Sequence, residues 1–63
     1  NCISPGGILD GQPEVFLDKY NSTCSSKGMM DAQDLDDTIV YLLSNMSKYV
    51  NGQNIIIDDG WSL

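Results

Sequence analysis

Apolar residues follow two different patterns along the chain, and each pattern predicts one kind of element. Residues Ile55 to Ile57 are apolar at successive positions, which is typical of a strand buried on both faces in a parallel sheet covered by helices. Asn51-Gly52 predicts the turn into this strand, which we place over Asn54 to Asp58. Asn1 to Ser4 predicts the end of another strand, because Pro5 to Gly7 would break it.

Helical spacing predicts the second kind of element in the middle of the chain. A helix over about Pro13 to Ser22 would begin at its proline, which suits the first helical position. A longer helix, about Ala32 to Asn45, follows a capping-box pair, Asp31 and Asp34. We expect the apolar arc of the longer helix to pack in the core. The arc consists of Leu35, Ile39, Leu42, Leu43 and Met46.

The order of strand, helix, helix and strand predicts an α/β fold. A strand, a helical crossover and a second buried strand form a right-handed parallel unit. In open α/β sheets, ligands bind beyond the carboxyl ends of the strands. The loop Pro5 to Ile8 follows such an end, and its two glycines allow unusual dihedral angles and a close approach to a ligand. We therefore predict that this loop faces a ligand, with an ordinary strand-ending turn as the alternative.

Length and charge narrow the classes of protein. A buried parallel strand needs neighbours that 63 residues hardly provide, so we expect residues 1–63 to be one segment of a larger domain. Three lysines against nine acidic residues give a net charge of −6, which repels phosphate backbones and disfavours a nucleic-acid partner. The longest apolar run, Ile39 to Leu43, is too short to span a membrane.

The residue types present exclude several chemistries within this segment. The chain has no histidine, which excludes Ser-His-Asp and Cys-His catalysis and most zinc sites. The acidic stretch Asp31 to Asp37 lacks the spacing and central glycine of an EF-hand loop, so we expect no metal site there. Cys2 and Cys24 could form one bridge, but we expect two reduced thiols in a cytoplasmic protein.

Four stretches of the chain, in the right order, resemble the short-chain dehydrogenases/reductases. Asn1 to Ile8 (NCISPGGI) resembles the sixth strand and Pro-Gly motif of that family. Gly28 to Leu35 (GMMDAQDL) is similar to the stretch before the last long helix. Tyr41 to Asn45 (YLLSN) and Tyr49 to Gly60 (YVNGQNIIIDDG) resemble the end of that helix and the closing strand. The resemblance implies the C-terminal part of a Rossmann-type, doubly wound parallel sheet.

The resemblance also implies that the Pro-Gly loop lines a cofactor, NAD or NADP. Pro5, Gly6 and Ile8 occupy the motif whose backbone borders the nicotinamide, and Ile8 is expected to bind the carboxamide through its main chain. The segment Leu9 to Lys27 corresponds to a mobile lid over a small-molecule substrate. The lid residues expected near that substrate are Leu9, Phe16 and Tyr20. The two aromatic ones could instead seat the first helix on the domain.

The last helix and strand correspond to a subunit interface, because members of this family are usually homo-dimers or homo-tetramers. Val40 and Tyr41 fall off the apolar arc, so they are either subunit contacts or ordinary exposed apolar residues. The expected interface residues are Val40, Tyr41, Ile55 and Ile57.

A finer resemblance concerns the substrate. The pieces Gly6 to Ile8, Lys27 to Met29 and Asp58 to Trp61 are similar to bacterial members associated with surface-sugar or flagellin-glycan biosynthesis. This implies a nucleotide-activated sugar or a related polyhydroxylated substrate.

Three residues depart from the pattern of the family. Asp10 stands where a threonine often helps to hold the cofactor, and a carboxylate facing a pyrophosphate would be repelled. Met29 stands where many members carry arginine. Asp59 replaces the first glycine of a common Asp-Gly-Gly ending, which puts a tight turn there in doubt.

None of the three tyrosines has a lysine four residues later, so the catalytic Tyr-x-x-x-Lys pair of the family is not in this segment. We expect the segment alone to be inactive and its parent to be a nicotinamide-dependent oxidoreductase. The alternatives are a free-standing acidic protein-interaction module without catalysis and a solute-binding α/β domain. An exposed, fully apolar final strand would invite aggregation, which argues against the interaction module.

Overall fold

A computed structural model describes all residues from Asn1 to Leu63. The two strands are β1 (Cys2–Pro5) and β2 (Asn54–Ile57), and the two α-helices are α1 (Glu14–Thr23) and α2 (Asp36–Leu43). Two short 3₁₀ turns, Ala32–Leu35 and Asn45–Ser47, flank α2. The predicted order of strand, helix, helix and strand is confirmed.

The strands β1 and β2 form a parallel two-stranded sheet, as the sequence predicts. Cys2 lies opposite Asn54 at one end, and Pro5 lies opposite Ile57 at the other. The strand β2 ends one residue before the predicted limit. The prediction that it is buried on both faces is wrong for this chain, because burial alternates along β2 and Ile56 is 58% exposed. Two short helices do not cover both faces of the sheet.

The helix α1 begins one residue later than predicted. Pro13 has φ −58° and ψ 146°, so it is the residue before the helix rather than the first helical residue. Its fixed φ still suits this position, because only ψ must change for the helix to begin at Glu14.

The predicted helix over Ala32 to Asn45 is divided into three pieces. The capping box of Asp31 and Asp34 is present, but the turn after it is 3₁₀ rather than α. Ser44 ends α2 because its backbone is extended, with ψ 168°, and its side chain accepts the N–H of Met46. Within these 63 residues the predicted core arc is wrong, because none of its members is buried. Leu35 and Leu42 are half-buried, whereas Ile39, Leu43 and Met46 are 39%, 84% and 71% exposed.

Three of the four buried residues, Gly28, Met29 and Asp58, lie near the carboxyl ends of the two strands, and the fourth, Ser47, follows α2. Met29 and Asp58 are 8% and 9% exposed there. Each belongs to a connecting segment rather than to a strand or helix, so this end of the sheet is built from loops that pack against one another. None of the helices has the length and apolar character that crossing a lipid bilayer requires.

Candidate functional site

The loop that follows β1 is fixed on both sides by main-chain hydrogen bonds. The N–H of Gly6 donates to the carbonyl of Ile57 at 2.9 Å, which continues the pairing with β2. The N–H of Leu9 donates to the carbonyl of Met30 at 2.8 Å. The loop therefore lies between the end of β2 and the segment that precedes α2, at the edge where α/β proteins bind ligands.

A tyrosine from α1 holds the middle of this loop. The hydroxyl of Tyr20 accepts the N–H of Gly7 at 2.7 Å. The Tyr20 ring stacks on the ring of Trp61, with centroids 5.3 Å apart and planes 11° apart. The Phe16 ring lies 6.4 Å from it on α1. Tyr20 thus contacts the Pro-Gly loop and the C-terminal turn, as the alternative that it seats the first helix requires, and its expected place near a substrate stays a prediction.

Ile8 carries the one main-chain N–H of the loop without a partner in the chain. Between Gly6 and Leu9, the other three N–H groups donate to Ile57, Tyr20 and Met30, and the N–H of Ile8 donates to none. The carbonyl of Ile8 accepts the side-chain amide of Gln12 at 2.8 Å. The half-buried Ile8 therefore keeps a free donor at a position that its neighbours fix.

The two glycines of the loop are required by crowding rather than by backbone conformation. Neither Gly6 nor Gly7 has a positive φ, so the expected use of unusual dihedral angles is wrong. A Cβ on Gly6 would lie 2.7 Å from the Cβ of Asp58 and 2.8 Å from the hydroxyl of Tyr20. A Cβ on Gly7 would lie 2.9 Å from the terminal methyl of Met29. At Gly6, only a residue without a side chain lets the loop pack this closely, whereas at Gly7 the nearest atom is the end of the flexible Met29 side chain, which can move.

Asp59 fastens the end of β2 to the segment that follows α1. Its carboxylate accepts the N–H of Gly28 at 2.7 Å and the N–H of Lys27, and it also accepts both the N–H and the hydroxyl of Ser26. Its carbonyl accepts the N–H of Ser25 at 2.7 Å. Asp59 has φ +53°, so the tight turn that the sequence placed in doubt is present with aspartate in the left-handed region.

These hydrogen bonds change the electrostatics of the site. The N–H groups of Gly28, Lys27 and Ser26 hold the pKa of the Asp59 carboxyl at about 2, below its ordinary value of 3.8. The Ser62 hydroxyl, together with the N–H groups of Ser62 and Gly60, lowers the pKa of Asp58. Both groups are therefore carboxylates at neutral pH, and both serve as acceptors within the fold.

The remaining predicted residues are exposed to different degrees. Leu9 and Phe16 are 40% and 51% exposed. On α2, Val40 and Tyr41 are exposed, whereas Ile55 and Ile57 on β2 are half-buried. The exposure of Val40 and Tyr41 is compatible with contact to another chain, so their interface role stays a prediction. Asp10 is exposed, and its N–H donates to the Gln12 side chain at 2.7 Å.

A cleft of about 430 Å³ lies beside the loop rather than on it. It is lined by residues 26–31 together with Asp34, Ile57 and Asp59. None of Pro5, Gly6 or Ile8 lines it. Within the chain, no group of three or more acidic or cysteine side chains is placed to hold a metal ion.

The sequence gives no signal for three of the supporting contacts. Trp61 follows the last strand without any helical or strand periodicity, and its partner Tyr20 lies 41 residues earlier in the chain. Asn21 accepts the N–H of Met29 at 2.9 Å through its side-chain oxygen. Asp59 stands out in the sequence only as a departure from a family pattern. Each contact joins segments whose proximity depends on the complete fold.

The comparisons with known proteins agree with this architecture. A family model described as Enoyl-(Acyl carrier protein) reductase matches residues 1–62. A solved short-chain dehydrogenase from Leptospira borgpetersenii, with bound NAD⁺, superposes on 98% of the chain with a TM-score of 0.91 and 39% identity. The chain belongs to the short-chain dehydrogenase/reductase family, a family of oxidoreductases.

Two curated relatives are similar to the chain over all or nearly all of its length. The chain is 54% identical over its whole length to the Post-translational flagellin modification protein A of Campylobacter coli, of which it covers 25%. It is 36% identical, over 98% of its length, to the NADP-dependent mannitol dehydrogenase of Hypocrea jecorina, of which it also covers 25%. The chain spans about a quarter of the length of the curated relatives it matches.

Proposed function

We propose that the chain is the C-terminal segment of an NAD- or NADP-dependent short-chain oxidoreductase. In this proposal residues 1–63 complete a Rossmann-type domain, and Pro5, Gly6 and Ile8 form one wall of the nicotinamide site. The family assignment and the NAD⁺ bound to the Leptospira enzyme support the class of cofactor. They favour an oxidoreductase over the free-standing interaction module.

The free N–H of Ile8 is the observation that carries the proposal. Its neighbours at Gly6, Gly7 and Leu9 are all engaged, so the loop is held while one donor stays available. A carboxamide offers an oxygen acceptor of the right kind for such a donor. Binding of a nicotinamide carboxamide by the Ile8 N–H would require no change in the hydrogen bonds of the loop itself.

The bound dinucleotide would supply the hydride acceptor or donor. The residues of this chain would orient the nicotinamide ring through the Ile8 main chain and bring the lid over it. The chain has no Tyr-x-x-x-Lys pair to move the accompanying proton, so this step would belong to another part of the domain. We therefore expect the isolated 63-residue segment to be inactive.

For the substrate, we propose a small polyhydroxylated compound of the class that includes nucleotide-activated sugars. The name of the Campylobacter relative, a flagellin modification protein, and the name of the mannitol dehydrogenase support this class. Leu9 and Phe16 are lid side chains with exposed apolar surface, and they would cover the substrate. We also propose a homo-dimer or homo-tetramer, placed in the cytoplasm, with Val40, Tyr41, Ile55 and Ile57 at the interface.

Binding of dinucleotides to the full-length protein tests this proposal. We expect calorimetry to show binding of NAD⁺ or NADP⁺, and amide exchange to show that the Ile8 N–H becomes protected on binding. ADP-ribose, which lacks the nicotinamide, should bind without protecting Ile8. A full-length protein that binds neither dinucleotide would refute the proposal, and binding that leaves the Ile8 amide unprotected would refute the role of the loop.

A further inference from the structure

We propose that Tyr20 is a positioning residue for the Pro-Gly loop. Docking of α1, the helix within the lid segment, and the geometry of the cofactor site are then coupled. The inference rests on the proposed function, because it assigns a role within that nicotinamide site. Tyr20 acts through the loop backbone and not through contact with the substrate.

The coupling runs through a short series of contacts. The Trp61 ring, in the turn after β2, stacks on the Tyr20 ring with centroids 5.3 Å apart. This contact fixes the direction in which the Tyr20 hydroxyl points, and the hydroxyl accepts the Gly7 N–H at 2.7 Å. Gly7 is bonded directly to Ile8, whose N–H is the free donor of the loop.

Gly6 and Gly7 explain why the loop needs such a support. Two adjacent glycines leave a backbone with more accessible conformations than any other dipeptide, and each conformation would aim the Ile8 N–H differently. The bonds of Gly6 and Leu9 fix the two ends of the loop. In its middle, Tyr20 accepts the N–H of Gly7 at 2.7 Å, the carbonyl of Gly7 accepts the N–H of Met30 at the longer distance of 3.4 Å, and the Gln12 side chain donates to the carbonyl of Ile8. The hydroxyl therefore selects the conformation in which Ile8 presents its donor.

Tyr20 also connects the Pro-Gly loop to α1, the helix within the lid segment. The side chains that tie α1 to the rest of the fold are at its C-terminal half, where Asn21 accepts the N–H of Met29 and Tyr20 accepts the N–H of Gly7. At the N-terminal half, Val15 is 81% exposed and makes no comparable attachment. A displacement of α1 that moves Tyr20 would break its hydrogen bond with the N–H of Gly7. The conformation of the Pro-Gly loop therefore depends on whether α1 is docked.

The variant Tyr20→Phe in the full-length protein tests this inference, because it removes the hydroxyl and keeps the stacked ring. We expect the Kd for the dinucleotide that the wild type binds to rise by about threefold to tenfold, the loss of one hydrogen bond. The Kd for ADP-ribose (or its 2′-phosphate, for an NADP-dependent protein) should stay within about twofold, because that compound does not reach the loop. Exchange of the Gly7 amide should become faster.

The control is Tyr49→Phe, because Tyr49 is 91% exposed and its hydroxyl makes no hydrogen bond in the chain. This variant should change neither Kd nor the exchange of Gly7. A second variant, Trp61→Leu, keeps the Tyr20 hydroxyl but removes the ring that directs it. It should weaken binding of the dinucleotide relative to ADP-ribose by a smaller factor.

The possible outcomes separate this inference from the proposed function. Equal weakening of both ligands by Tyr20→Phe would show a general structural role and overturn the inference. Unchanged binding of both would also overturn it, while leaving the proposed function intact. A wild-type protein that binds no dinucleotide would overturn the proposed function first, and this inference with it.

Discussion

Replacing Gly6 with alanine is the most direct test of how closely the Pro-Gly loop packs. The added Cβ would lie 2.7 Å from the Cβ of Asp58, 3.2 Å from its Cα and 2.8 Å from the Tyr20 hydroxyl. Two of these neighbours cannot move unless the backbone after β2 moves. The third is the hydroxyl that accepts the Gly7 N–H.

The expected magnitude follows from these distances. Carbon atoms prefer separations of about 3.5–4.0 Å, so the contact with the Asp58 Cβ is too short by roughly 1 Å. Overpacking of this kind costs about 1–3 kcal/mol of the free energy of unfolding. In a protein of 150–250 residues, each kcal/mol lowers the unfolding temperature by about 2–4 °C. Because the loop must shift to make room, we also expect weaker binding of the dinucleotide.

The assay compares Gly6→Ala with Gly52→Ala in the full-length protein. Gly52 has φ +67° and an added Cβ would meet no atom within 4 Å, so alanine there is strained by conformation alone, at about 1–2 kcal/mol. The turn at Gly52 precedes β2 and lies at the other end of the sheet from the loop. Thermal unfolding should therefore detect both variants, whereas calorimetric titration with the dinucleotide should detect only Gly6→Ala.

Two results would refute this reasoning. A Gly6→Ala protein with an unfolding free energy within about 0.5 kcal/mol of the wild type would show that the loop tolerates a side chain. Equal binding of the dinucleotide by the wild type and both variants would show that the position of the loop does not matter to the cofactor.

Three further predictions concern other parts of the chain. Asp59→Asn should destabilise the protein above about pH 4, because the hydrogen bonds that lower the pKa of Asp59 stabilise the fold only while its carboxyl group is charged. The difference in stability between variant and wild type should vanish as the pH falls through about 2. Urea unfolding from pH 7 to pH 2 measures this difference, and a difference that persists at pH 2 would contradict the prediction. Ser47→Ala should lower the free energy of unfolding by about 1 kcal/mol, because the buried hydroxyl of Ser47 donates to the carbonyls of Leu42 and Ser44. Ser22→Ala, at an exposed serine, should lower it by less in the same denaturant titration. Tyr41→Glu should weaken assembly of the full-length protein, and an unchanged sedimentation profile would argue against the proposed interface.

The sequence predicts the elements better than their limits. The apolar run Ile55 to Ile57 and the short strand at the start of the chain correctly indicate a parallel pair, because strand patterns are local signals. The predicted break at Pro5 is wrong by one residue, because Pro5 is the last residue of β1 and lies opposite Ile57. The capping box of Asp31 and Asp34 is also local and is confirmed. The pattern does not predict the break of the second helix at Ser44, because a serine within a helical pattern becomes a cap only when its backbone is extended.

The candidate site, like the fold, is predicted from the sequence only in part. The Pro-Gly loop is predicted from its place after a strand and from its resemblance to a family, and both depend on residues adjacent in the chain. The supports of the loop, Tyr20 and Trp61, are not predictable as a pair, because 41 residues separate them and no spacing rule connects them. The hydrogen bonds that Asp59 accepts are not predictable either. In the sequence, Asp59 is only a departure from the family pattern, and such a departure does not reveal which N–H groups a carboxylate will meet.

By itself, the sequence determines the order of the elements, the parallel pairing and the family of this protein, because propensity, periodicity and short motifs act over a few neighbouring residues. Only the tertiary structure decides that Ile8 keeps a free N–H, since that depends on Ile57, Tyr20 and Met30 taking the donors on either side. It also decides that Gly6 is needed for space rather than for conformation. Contacts between distant segments form when the whole chain packs, and the availability of a donor or of space is a property of that packing.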